Sequence, residues 1–179
     1  MTNIFQPVRE IEEILSKRIR RTIDNKELSP AAVLLPIYKK EGKYYILLTK
    51  RTRSLSHHKG EISLPGGSYE KEDINLEDTA LRESYEEIGI RPEDVKILGK
   101  LDDVETLTSS RLITPYVGIV PYPYDFKINE REVEELIKVP ISALLNKKES
   151  YCWIYDGHVI WGATAWILRN FLSLLPLKK

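Results

Sequence analysis

The sequence predicts an α/β domain in which a mixed β-sheet lies between helical layers. Two apolar, strand-like runs at residues 31–38 and 44–49 precede an amphipathic helix at 76–88, and further strand-like runs follow at 95–101, 111–120 and 132–139. Helical periodicity marks both ends of the chain, at 5–23 and 161–174. Strands interleaved with helices suit a sheet covered on both faces. At 179 residues, the chain is read as one domain, spanning 1–179, with a sizeable core.

Composition narrows the partners. Lys and Arg total 27 and so do Asp and Glu, giving a formal net charge of zero. No field draws a polyanion, so nucleic acid is not expected as a partner. No apolar stretch is long enough to cross a bilayer, and the start of the chain lacks the apolar run of a signal peptide. The expected setting is the cytoplasm, with no membrane partner. A single cysteine, Cys152, excludes an internal disulfide and suits a reducing compartment. Set between Tyr151 and Trp153, its thiol is expected to be buried and inert.

Residues 5–23 form an amphipathic helix in which Val8, Ile11, Ile14, Leu15 and Ile19 share a face. That face packs across the core or against a second subunit, as in a homodimer. The basic run Lys17-Arg18-Ile19-Arg20-Arg21 suits the helix dipole and reads as a solvated helix end or as a contact for an anionic substrate. The runs at 31–38 and 44–49 are strands of a hairpin turning within 39–43. Pro36, lacking an amide, points to an edge strand or a bulge. A basic loop, 50–60, follows and ends in Gly60. The guanidinium groups of Arg51 and Arg53 match phosphate oxygens, and His58 and Lys59 add donors.

Next comes a Pro65-Gly66-Gly67 turn, an acidic loop, and the helix at 76–88. Asn75 or Asp73 caps its start and Gly89 closes it. At about 100° per residue, Leu81, Tyr85 and Ile88 form an apolar stripe, while Glu83, Glu86 and Glu87 lie opposite. Like charges at this spacing oppose the helix by a few tenths of a kcal/mol each, and they sit at the end where the dipole disfavours anions. The acidic face is either solvated or a seat for a hard divalent cation, Mg²⁺ or Mn²⁺. The paired glycines upstream, Arg82 beside the cluster and Gly89 after it favour the cation. Further on, the loops at 106–110 and 121–129 border a substrate or simply connect strands. A strand at 132–139 leads to a short helix at 140–145. A hairpin at 151–160 turns at Asp156-Gly157, and the helix at 161–174 carries aromatics expected in the core.

The run Arg82-Glu83-Ser84-Tyr85-Glu86-Glu87-Ile88-Gly89-Ile90 resembles the second half of the Nudix hydrolase signature, Gly-x5-Glu-x7-Arg-Glu-aliphatic-x-Glu-Glu-x-Gly-aliphatic. The motif spans 67–90 here. Ser84 replaces an aliphatic residue, and Asp73 stands where the first half of the signature has Glu. The loop from Gly67 to Arg82 is one residue longer than the general pattern. Upstream, Leu47-Leu48-Thr49-Lys50-Arg51, Gly60 and Leu64-Pro65-Gly66-Gly67 resemble the motif of coenzyme A pyrophosphatases within that family, a group in which the longer loop also occurs. Thr52 and Leu64 are mild departures from this motif. Ser56 stands where it has a second Arg, so Arg53, Lys59 or His58 would have to replace that cation.

The resemblance implies a Nudix-type α/β/α sandwich with a mixed sheet. It also implies metal-dependent hydrolysis of a small-molecule nucleotide substrate, coenzyme A being cleaved to 3′,5′-ADP and 4′-phosphopantetheine. Glu83, Glu86 and Glu87 are read as ligands of Mg²⁺ or Mn²⁺, and the resemblance adds the Gly67 carbonyl. Arg82 orients a carboxylate. Arg51, Arg53, His58, Lys59, Gly60 and Gly66 are read as lining the substrate. Glu132 and Glu135 are expected to face the cations. Glu135 is read as general base, with metal-bound Glu86 or Glu87 as the alternative.

Overall fold

The structure, a computed structural model, describes residues 8–53, 59–106, 109–147 and 150–175. Helix α1 (Val8–Lys17) is followed by strands β1 (Ser29–Lys40), β2 (Lys43–Arg51), β3 (Ile62–Ser63) and β4 (Gly66–Ser68). Helix α2 (Leu76–Ile88) leads to β5 (Lys96–Lys100), β6 (Val104–Thr106) and β7 (Arg111–Ile119). Then come β8 (Val133–Pro140), helix α3 (Ile141–Leu145), the hairpin of β9 (Trp153–Tyr155) and β10 (His158–Ile160), and helix α4 (Gly162–Leu174).

Strand β1 is apolar without alternation because both its faces are covered. Ala32 and Leu34 pack with Ala80 of α2 and Tyr116, whereas Leu35 and Ile37 join Ile11 and Leu15 of α1 and Phe171 of α4. The main sheet runs β3-β2-β1-β7-β5, with β4 on β1, β6 on β7 and β8 on β2. β1 and β7 are parallel, from Ser29 opposite Arg111 to Ile37 opposite Ile119, and β1 and β2 are antiparallel. The sheet is therefore mixed, with α2 on one face and α1 and α4 on the other, which is the expected α/β/α sandwich. Glu41 and Gly42 join β1 to β2 with positive φ at both positions, the turn geometry that matches strand twist.

Four expectations are corrected. Pro36 lies in an interior strand. Pairing with β2 ends at Ile37 opposite Ile46, and pairing with β4 begins at Val33 opposite Gly66, so Pro36 sits where β1 changes neighbour and an amide is not needed. Pro65-Gly66-Gly67 is not a turn but leads into β4, with Gly67 opposite Ala32. Cys152 is exposed, because the strand begins only at Trp153, whose indole N–H donates to Leu144 O at 3.2 Å. On α4, the buried stripe is filled by Ala165, Leu168, Phe171 and Leu172, and this leaves Trp161 and Trp166 half exposed. Trp166 packs instead against Tyr151, ring centroids 5.0 Å apart.

The N-terminal helix also stops at Lys17 rather than 23, and Ile19 is 98% exposed. Two carboxylates draw the chain out of the helix. Arg18 pairs with Asp102, and the Arg21 amide donates to Asp102 Oδ1 at 2.8 Å. Arg20 Nη1 reaches Asp103 Oδ1 at 2.6 Å, and the Ile23 amide donates to Asp103 Oδ2 at 3.1 Å. Arg18 and Arg20 thus serve the fold rather than a substrate. Asp103, buried, also accepts from Thr114 Oγ1 at 2.8 Å. Asp103→Ala removes the acceptor from three donors and is expected to lower stability by about 3 kcal/mol in chemical denaturation, a loss typical of breaking a buried charged network.

Candidate active site

Helix α2 forms where the sequence places it. Asn75 Oδ1 accepts from the amides of Glu77 at 2.7 Å and Asp78 at 3.2 Å, and Gly89 closes the helix at φ 73°. Its last carbonyls are not left to solvent. The loop at 121–129 supplies Lys127 N to Ile88 O at 3.1 Å and Asn129 N to Glu87 O at 2.8 Å.

The helix is rotated from the expected orientation. Thr79, Ala80, Ser84, Glu87 and Ile88 are buried, while Tyr85 is 54% exposed. The reason is close packing on β1 and β4, which admits small side chains at the contact and turns the larger Tyr85 outward. Ser84, at the signature's aliphatic position, satisfies its hydroxyl by donating to Ala80 O at 2.6 Å. Glu83 and Glu87 therefore face the sheet, and only Glu86 of the three remains half exposed.

Gly66 and Gly67 clear two different contacts, one between β4 and β1 and one between β4 and Glu83. A Cβ on Gly66 would lie 2.3 Å from Ala32 O, at a φ of 153°. A Cβ on Gly67 would lie 2.4 Å from the Glu83 carboxylate. The space a side chain would fill is held by the carboxylate itself.

Arg82 organises the acidic side chains. Its Nε and Nη2 grip Asp73 at 2.8 and 3.1 Å, Nη2 also donates to Ser68 O at 3.1 Å, and Nη1 reaches Glu83 at 3.1 Å and Glu86 at 3.3 Å. This is the bidentate geometry particular to guanidinium. The Arg82 fork, with the Glu70 amide and Thr79 hydroxyl, holds the Asp73 carboxyl well below its usual range. Asp73, at the position of the signature's Glu, thus anchors Arg82.

Glu87 is the most enclosed carboxylate of the three. Burial pushes it up to about 8, against the pull of Arg51 and the Gly66 amide, and Glu83 and Glu132 push it the same way as burial. Arg51 Nη1 lies 3.6 Å from Glu87 Oε1, while Glu87 Oε2 and Arg51 Nε are buried without hydrogen-bond partners. Burial raises Glu83 as well, opposed by Arg82. Among the described residues no three carboxylates yet converge on one point, because Arg82 Nη1 lies between Glu83 and Glu86. Even so, a buried carboxylate with an oxygen lacking a donor, beside a part-buried one that repels it, suits a hard divalent cation.

The remaining expected site residues divide. Gly66 and Gly67 lie at the heart of the cluster, and Arg51 reaches it. Gly60 closes the base of the basic loop, its amide donating to Arg51 O at 3.1 Å. Arg53 and Lys59 are exposed in that loop. His58 and Ser56 lie outside the described residues. Glu135 is exposed on β8 with Oε2 3.6 Å from His158 Nε2, so it turns toward β10. The carboxylate from this segment that acts on both Glu83 and Glu87 is Glu132, whose Oε1 accepts from Asn129 Nδ2 at 3.1 Å. Sequence reasoning missed Asn129. Its signal was the three-residue spacing to Glu132, which a loop allows both side chains to share.

Residues 28–154 match the NUDIX domain family model. A protein from Enterobacter sp. (strain 638) described as "Uncharacterized Nudix hydrolase NudL" is 32% identical over 180 residues, covering 93% of this chain and 92% of its own. The like-named protein of Photorhabdus laumondii is 35% identical over 154 residues, covering 78% of this chain and 81% of its own. Among solved structures, a Caenorhabditis elegans Ap4A hydrolase binary complex superposes with a TM-score of 0.59 at 19% identity, over 82% of this chain and 96% of that one. A Nudix hydrolase from Nitrosomonas europaea gives 0.59 at 18% identity, over 84% and 73% of the two chains. At these identities the structures bear on the fold alone.

Gly67→Ala is expected to keep the melting temperature within a few degrees, since only a side-chain end must move, yet to abolish most activity by displacing Glu83. Gly66→Ala meets backbone and should destabilise by about 3 kcal/mol or more. The folded pKa of Glu87 lies above its unfolded value, so the folded state holds an extra proton between about 4.5 and 8. Stability of metal-free protein should fall as pH rises through that window, and less so in Glu87→Gln. Added Mg²⁺ should then raise the melting temperature of the wild type but not of Glu87→Gln. Parallel melting curves for the two proteins would contradict this.

Proposed function

Because the chain belongs to the NUDIX domain family, we propose that its acidic cluster serves a Mg²⁺- or Mn²⁺-dependent pyrophosphohydrolase whose leading substrate is coenzyme A or a derivative. The observation that carries this reading is the buried Glu87, flanked by Arg51 and held beside Glu83, whose carboxylate fills the space over Gly67. The coenzyme A assignment draws on the upstream motif. Thr49 of that motif ties β2 to β3 through Ser63 at 3.2 and 3.0 Å, and Leu64 is buried, so the motif frames the basic loop.

Glu83, Glu86, Glu87 and the Gly67 carbonyl would hold the cation. When bound there, Mg²⁺ or Mn²⁺ would neutralise charge on the diphosphate and acidify water. Arg82 acts by positioning Glu83 and Glu86. Arg51, with Nε unpaired, offers donors to a phosphate oxygen. Water then adds to one phosphorus in line with the bridging oxygen, which departs on the other phosphate. The proton passes to Glu132, which Asn129 holds and whose charge is felt at both Glu83 and Glu87. Glu132 replaces Glu135 as base in this scheme, and metal-bound Glu86 or Glu87 is the alternative. The whole chain is read as one such domain, working in the cytoplasm on a small nucleotide.

Incubation with coenzyme A and Mg²⁺ should yield 3′,5′-ADP and 4′-phosphopantetheine. Glu132→Gln should lower kcat about 100-fold or more, the scale of a general base, while Glu135→Gln stays within a few-fold. Preference for ADP-ribose, a dinucleotide or a nucleoside triphosphate would refute the coenzyme A assignment. Tight binding without product at any metal concentration would instead identify a nucleotide sensor.

A further inference from the structure

We propose that the cleft beside the C-terminal end of α2 is a subsite for an adenine-type base, a reading that rests on the proposed function and extends it to what flanks the diphosphate. The cleft encloses about 720 Å³ between the end of α2 and the loop at 121–129 and is lined by Tyr85, Glu86, Arg91, Tyr124, Asp125 and Lys127 among others. Glu86 lines the cleft and also meets Arg82 at 3.3 Å in the acidic cluster, so the cleft adjoins that cluster along α2.

The walls are built rather than incidental. Tyr124 is fixed at its hydroxyl, which accepts from Arg91 N at 2.9 Å and donates to Asp94 Oδ2 at 2.8 Å. Its ring is braced by Phe126, centroids 5.1 Å apart. The loop is pinned to α2 through Lys127 N and Asn129 N. Tyr85 is the large side chain that the helix turns outward, and it faces this cleft. Two phenol rings in one cleft suit a flat aromatic ligand.

Charge selects the kind of ligand. The cleft carries Glu86 and Asp125 against Lys127 and Arg91, and Arg91 is already engaged with Asp94 at 3.0 Å. The helix end adds partial negative charge. Such a cleft repels a bare phosphate and accepts a neutral base whose exocyclic amino group donates to a carboxylate.

The test is binding to the full chain without metal, followed by NMR and calorimetry. AMP is expected to bind at least about tenfold more tightly than ribose 5-phosphate and to shift the Tyr85 ring resonances. Tyr85→Ala should weaken AMP about tenfold, and Tyr85→Phe should match the wild type to within about twofold, as stacking predicts. Equal binding of AMP and ribose 5-phosphate, or AMP affinity unchanged in Tyr85→Ala, would overturn the subsite. Because no metal or turnover is involved, base binding through Tyr85 in a protein that hydrolyses nothing would uphold the cleft and refute the enzyme. Hydrolysis with no Tyr85 dependence would do the reverse.

Discussion

The close approach of α2 to the sheet governs the site. Small residues of α2, Thr79, Ala80 and Ser84, are buried at the contact, with Ala80 packed with Ala32 and Leu34 of β1, while Gly66 lets β4 lie close on β1 and Gly67 leaves room for the Glu83 carboxylate. At that separation Glu87 is shut off from bulk water and Glu83 is largely covered. They are held as a mutually repelling pair, which is costly unless charge is supplied from elsewhere. Arg51 supplies some of it from β2, and Arg82 some from the helix itself.

Those two arginines play different parts. Arg82 is spent on structure. It joins Asp73, Ser68, Glu83 and Glu86, so the acidic loop and the helix become one unit. Arg51 makes a longer contact and keeps a buried N–H unmatched. A side chain with donor capacity to spare is suited to meet an incoming anion, whereas one already saturated is suited to hold its neighbours still.

The sequence carried the helix bounds, its Asn75 cap and its Gly89 stop, because these are decided within a few residues. The mixed sheet between helical layers was readable from the alternation of strands with helices, but the order of strands within it was not. The facing of α2 was not. Amphipathic periodicity pointed to Leu81, Tyr85 and Ile88, but what lies under a helix depends on a strand contributed from elsewhere in the chain. The same holds for Ile19, whose helix is cut short by Asp102 and Asp103, more than 80 positions along. Strands β3, β4 and β6 are of two or three residues, too short for a period to show. Glu132 and Glu135 are both polar and both on or beside one strand. Only the partners each finds, Asn129 for one and His158 for the other, tell them apart.

The parallel pairing of β1 with β7 bears on how the molecule comes into being. Ser29 waits for Arg111, and until that strand has been made β1 lacks its longest neighbour. A nascent chain released as far as α2 would already carry every glutamate of the Nudix helix together with β1 and β4 beneath it, yet the sheet under them would be open on the side that β7 later closes. Completion of that sheet waits on a strand made after the helix, and contacts so far apart in the chain make for slow assembly.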